Sequence, residues 1–185
     1  MNRTRGFTLL ETGIVLGITV FAMAALTNLY VTFTRVYGYE QVYTGMAGSA
    51  NESMAAIEAA VLPADGVLVS HAFSTGTFTT GTSTLVLELP SIDASGVTLF
   101  GLKDYIAIYA TSTYLMRRVE ANVQSVRVTG TKQLAGSLAS LSLTYDNADV
   151  TLAKSITASL RMNAQYNGQT ASSTLSQVLY LRNTP

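Results

Sequence analysis

The sequence predicts an α+β protein in which a long N-terminal α-helix, its first half membrane-spanning, packs on an antiparallel β-sheet domain. Three observations carry this expectation. Between Arg5 and Arg35 the only charged side chain is Glu11, in an otherwise apolar run. From Val36 to Val61 apolar residues recur every three or four positions, the helical period. Beyond Pro63 the period falls to two, and Gly, Asn, Asp and Ser separate the runs.

Composition narrows the function before any motif is considered. Charged residues make up 12% of the 185-residue chain, against about 25% in ordinary domains. With a mean hydropathy of +0.31, disorder is excluded. Equal numbers of acidic and basic residues leave a net charge of zero and no electrostatic footprint for nucleic acid, so the expected partners are protein or lipid. With no cysteine there is no disulfide, thiolate nucleophile or Cys-ligated zinc. One histidine, His71, excludes a multi-histidine metal site. No catalytic serine, zinc-helix or phosphate-loop motif occurs. The chain is therefore expected to be no enzyme and to need no cofactor or metal.

The first element is the apolar helix. The uncharged stretch from Thr12 to Thr34 would reach about 34 Å as a helix, enough for a hydrocarbon core of about 30 Å. Arg3 and Arg5 precede it and, by the positive-inside bias, hold the short N-terminus in the cytoplasm. Two ordinary readings suit such a segment. One is a secretory signal with Ala22-Met23-Ala24 as cleavage site before Ala25, although apolar character continues through Leu26, Leu29, Tyr30, Val31 and Phe33. The other is a plain membrane anchor. Neither explains Glu11, because a lone carboxylate in a lipid-embedded helix costs about 2.5–3.5 kcal/mol unless it snorkels to the headgroups. Gly13 and Gly17 form a small-xxx-small pair that would admit a second helix closely.

The second element continues the first. Val36, Tyr39, Tyr43, Met46, Ala50, Met54, Ile57 and Val61 make an apolar stripe, which predicts one helix from about Phe7 to Leu62, about 80 Å long. Pro63 and Asp65-Gly66 end it. Gly38, Gly45 and Gly48 weaken its middle, and two helices broken near Gly45 are the alternative.

Seven strands are expected: Val67–Phe73, Thr84–Leu89, Tyr105–Ala110, Tyr114–Val119, Leu138–Tyr145, Ile156–Met162 and Ser173–Leu181. The Gly/Thr/Ser-rich stretch from Ser74 to Ser83 reads as a turn or loop, as do Asp146–Asp149 and Asn167-Gly168. His71 reads as a packed or half-exposed strand residue. Asp146, Asn147 and Asp149 read as a turn, with calcium ligation the lesser alternative. Arg117-Arg118 reads as a solvated strand position with an edge charge that discourages strand addition.

The string Arg5-Gly6-Phe7-Thr8-Leu9-Leu10-Glu11 resembles the processing site of type IV pilins and type II secretion pseudopilins. The resemblance implies a pilin-like fold and cleavage after Gly6 by a prepilin peptidase. It implies an N-methylated Phe7 as the new first residue, with Glu11 receiving the Phe7 amine of a neighbouring subunit. Residues 1–6 would be the leader, 7–35 the transmembrane and assembly half of the helix, 36–62 its amphipathic half, and 63–185 an extracytoplasmic β-rich domain. Gly13 and Gly17 would serve helix packing. The implied partners are the peptidase, other pilin or pseudopilin subunits, an inner-membrane assembly platform and membrane lipid. The implied location is the cytoplasmic membrane, single-pass, and then an extracytoplasmic filament. The run IAIYATSTYLMRRVE, followed by VQSVRV, LASLSLTYDN and SITASLRM, looks like the larger minor members of the family. The chain departs from many pilins in lacking a C-terminal cysteine pair, so strand pairing at Val178–Leu181 would have to clamp the C-terminus. The alternative is an anchored or secreted β-rich adhesin whose N-terminus serves only export.

Overall fold

The structure, a computed structural model, describes residues 8–182; the leader, Gly6 and Phe7 lie outside the described residues. The chain divides into two compact units, residues 1–41 and 42–185. The helix α1 (Leu9–Val61) supplies all the described secondary structure of the first unit and the opening element of the second. It is unbroken at Gly45 and Gly48, and ends where Pro63 removes a donor. This agrees with one helix rather than two.

The second unit carries ten strands: β1 (Gly66–Val67), β2 (Ser70–Phe73), β3 (Gly76–Thr79), β4 (Thr84–Ile92), β5 (Thr98–Thr111), β6 (Tyr114–Glu120), β7 (Gly130–Ala135), β8 (Leu138–Tyr145), β9 (Ser155–Tyr166) and β10 (Gln169–Tyr180). They form three antiparallel sheets, with orders β1-β4-β5-β6-β7, β10-β9-β8 and β2-β3. Alternation decides which face each side chain takes. Leu85 and Leu87 oppose Ile108 and Ile106 on one face of the five-stranded sheet, while Val86 opposes Ala107 on the other. The second face is closed by the β2-β3 hairpin, whose Phe73 and Phe78 pack with Val86, Ala107 and Tyr109. β9 and β10 pair over twelve residues and turn at Asn167-Gly168, both at positive φ as a tight hairpin turn requires.

Burial in α1 begins at Met46 and continues through Ala50, Ser53, Met54, Ile57, Ala60 and Val61. Ser53 Oγ donates to Leu134 O at 3.3 Å and Gln177 Nε2 to Glu58 Oε2 at 3.1 Å, so this part of the helix meets both larger sheets. Met54, Ile57 and Val61 are fully buried, each contributing about 1.5–3 kcal/mol of transfer free energy. Val36 and Tyr43, expected on the packed stripe, are exposed. Helical period identifies the apolar face but not how far along the helix a partner surface extends. Deleting residues 1–35 is therefore expected to leave a soluble, monomeric domain with cooperative thermal unfolding, because every buried helix position is retained. Aggregation or non-cooperative melting of that fragment would refute the assignment.

Three strand expectations are corrected. The segment Val67–Phe73 divides into β1 and β2, which pair with different strands. The stretch Ser74–Ser83 holds β3, because Phe78 is an apolar anchor between β-branched threonines and pairs opposite His71. Strand β7 is an addition to the expected strands, its sequence GTKQLA being too polar to read as one. With β7 in place, β6 is an interior strand, so Arg117 and Arg118 are half-buried rather than solvated edge charges.

Candidate functional site

The first unit presents one feature with functional character, an apolar helix surface that is exposed throughout among the described residues. Its most apolar 18-residue window has a mean hydropathy of 2.1 and none of it is buried. Leu9, Phe21 and Phe33 stand 93%, 79% and 72% exposed. A soluble protein does not leave such a surface to water, since exposed contiguous apolar area marks a protein or membrane contact. This is one helix near the N-terminus long and apolar enough to cross a membrane. Its hydroxyls are arranged to match: Thr12, Thr19, Thr27 and Thr32 each donate back to the carbonyl four residues earlier, at 2.8–2.9 Å. Every such donor is satisfied within the helix, as a hydrocarbon surrounding requires.

Glu11 lies in the first turn. Its Oε2 accepts from Thr8 N at 2.9 Å and from Thr8 Oγ1 at 3.0 Å, and Thr8 Oγ1 in turn faces the Glu11 amide at 3.3 Å. This reciprocal arrangement is a capping box, which satisfies two of the donors a helix start leaves open. The Thr-x-x-Glu spacing at Thr8–Glu11 was a legible signal for it that the sequence analysis missed. Oε1 accepts no hydrogen bond among the described residues, so the carboxylate caps its own helix through one oxygen. Gly13 and Gly17 lie within two turns of Glu11, and a Cβ at either would meet nothing within 4 Å. Nothing within the described residues therefore demands glycine there, although each costs about 1 kcal/mol relative to alanine. Gly6 and Phe7, the expected processing residues, lie outside the described residues.

In the second unit the polar residues first read as candidates are occupied structurally. His71 stacks on Tyr105 with centroids 3.7 Å apart, and its Nε2 lies 3.0 Å from Glu120 Oε2. It fastens the hairpin to the sheet, the packed strand residue expected. Asp149 Oδ1 caps a 3₁₀ turn (Val150–Leu152) through Thr151 N, Asn147 Oδ1 accepts from Asp149 N, and Asp146 Oδ1 accepts from Lys154 N. These oxygens are committed to the turn. The last strand holds the C-terminal region as expected: Leu179 and Leu181 are buried, and Leu181 N and Arg182 N donate to Lys154 O and Leu62 O.

Asp104, unnoticed in the sequence, is the one charged residue among the described residues that is wholly buried, at 0% exposure. Oδ1 accepts from Ser91 Oγ and Asn122 N, both at 2.8 Å; Oδ2 accepts from Ser125 Oγ at 2.7 Å and Arg127 Nη1 at 2.6 Å. Burial alone would raise its pKa. The bonds from Ser125, Asn122, Arg127 and Ser91 outweigh that and hold it below the ordinary carboxylate value. The carboxylate thereby pins the β6-β7 connection to the end of β4. No local pattern marks it, since its donors lie at least 13 residues away in the chain, on β4 and in the β6-β7 connection.

No protein-family profile and no curated protein matches this chain. The class that the fold and the helix define is an α+β protein with one N-terminal helix able to cross a membrane.

Proposed function

We propose that this protein is a structural subunit of a type IV pilus or type II secretion-like pseudopilus, processed by a prepilin peptidase and assembled through α1. The observation that supports this most is the fully exposed, membrane-length helix that begins with a capped Glu11 whose second oxygen is uncommitted, directly after Arg5-Gly6-Phe7. In the membrane the helix is stored single-pass with its N-terminus cytoplasmic. Cleavage after Gly6 releases the amine of Phe7 as a cation. In the filament that amine meets Oε1 of Glu11 on a neighbouring subunit, and Gly13 and Gly17 let the helices approach. Replacing lipid by neighbouring helices then keeps the apolar surface dry throughout. About 120 residues lie beyond Pro63, folded into three sheets, and this bulk suits a minor position at the tip, where neighbours crowd only one side.

The mature N-terminus tests the reading. Sequencing or intact mass of the purified protein is expected to give Phe7 as the first residue, and Gly6→Val is expected to leave the precursor at full mass. A chain beginning at Ala25 would make the segment a secretory signal, and an uncut wild-type chain would make it a plain anchor; either overturns the proposal. Near-single copy number per sheared filament by quantitative mass spectrometry is the expected sign of the minor role.

A further inference from the structure

Beside the last turn of α1, the face of the five-stranded sheet opposite the β2-β3 hairpin opens into a cleft of about 330 Å³. Its walls are Ala60, Leu89, Ile106 and Val119, and its polar groups come from Arg117 and Arg127. The two arginines differ. Arg127 is engaged, its Nη1 bonded to Asp104 and to Pro90 O. Arg117 makes no hydrogen bond or ion pair among the described residues, and its Nε is buried without a partner. On the opposite sheet face Arg118 spends its terminal nitrogens on Thr131 and Ser74.

A second observation bears on the same place. Arg117 stands directly opposite Lys132 in the β6-β7 register, so both side chains rise from one face of the sheet. Like charges so paired repel. No acidic side chain among the described residues forms a salt bridge with either. Asp104, on the same face of the sheet as Ile106, is already neutralised by Arg127. The cleft edge therefore carries two neighbouring cations without an ion-pair partner and a buried donor without a hydrogen bond, beside apolar side chains. The unpaired charge and the unsatisfied donor are each unfavourable, and an anion whose body fits the apolar side of the cleft relieves both.

We propose that this cleft binds a small organic carboxylate with an apolar body, its head on the Arg117 guanidinium with Lys132 beside it, and its body on Leu89, Ile106 and Val119. A planar guanidinium offers a carboxylate two parallel donors, the geometry of the strongest charge-assisted pairs. The volume sits at the lower end of small-molecule sites, which run from about 300 to 1,000 Å³, so the body has the size of one ring or a short chain. This inference does not depend on the membrane-length part of the helix or on filament assembly.

The test is calorimetric titration of the full chain, in nonionic-detergent micelles, with 4-phenylbutyrate, its uncharged amide, and a micelle-only reference. Saturable binding of the carboxylate is expected, with the amide at least about tenfold weaker. Arg117→Gln is expected to lower affinity by about tenfold or more with the melting temperature unchanged or raised, since no partner is lost. Lys132→Gln, at an exposed position, is expected to lower it by a smaller factor and to flatten its salt dependence. Equal binding of acid and amide, no saturable binding above the micelle reference, or full affinity in Arg117→Gln would overturn the proposal. Should Arg117→Gln fail to fold, unchanged affinity and salt dependence in Lys132→Gln would overturn it equally.

Discussion

Asp104→Ala is expected to lower the stability of the β domain by about 3–5 kcal/mol, the usual loss when one member of a buried ion pair is removed. The variant strands Arg127 without its carboxylate and leaves the donors of Ser91, Asn122 and Ser125 unpaired. Urea unfolding followed by circular dichroism would show it as a lower midpoint, and a loss below about 1 kcal/mol would mean that water replaces the carboxylate at little cost. The same group sets a pH dependence. Its pKa is depressed in the folded state, so the unfolded chain binds the proton more readily. Its stabilisation is complete above the unfolded aspartate value of about 3.9 and is lost as pH falls through the lower folded value. Wild type should therefore lose stability on acidification below about pH 4 more steeply than Asp104→Ala. Parallel acid titrations of the two proteins would contradict this.

Glu11→Ala is expected to leave the β domain folded and to reduce incorporation into filaments by about tenfold or more, given a gross Coulomb gain of about 4 kcal/mol for a pair at 4 Å in a dielectric near 20. The capping box makes alanine ambiguous by itself, because it also removes a helix cap worth about 0.5–2 kcal/mol. Glu11→Gln separates the roles. Glutamine completes a capping box as glutamate does but carries no charge. If Glu11 acts as the partner of the Phe7 amine, glutamine should assemble as poorly as alanine. Recovery of wild-type incorporation in Glu11→Gln, measured against subunit in the membrane fraction, would reduce Glu11 to a helix cap.

The two ends of the protein were unequally legible. In α1 every signal is local: apolar length, an i to i+4 glycine pair, a Thr-x-x-Glu start and a proline stop all act within a few residues. The capping box is local too, because Thr8 and Glu11 stand three residues apart at the helix start. Strands with strict alternation, such as Leu138–Tyr145 and Ile156–Met162, were also readable, because one face of each is wet. The β3 and β7 strands were not. Their threonines, lysine and glutamine fit an exposed strand or a loop equally well, and only their partners, β2 and β6, make them strands.

By itself, then, the sequence determined the membrane-length helix, its single carboxylate, the α+β class and the absence of any cysteine or multi-histidine chemistry. These follow from composition and short-range periodicity. Only the tertiary structure decided that helix burial starts at Met46, that Arg117 lies on an interior strand facing Lys132, and that Asp104 is buried under donors from Ser91, Asn122, Ser125 and Arg127. Such features depend on strand order and register, which place residues far apart in the chain within hydrogen-bonding or Coulombic reach, and a single sequence carries no local mark of that proximity.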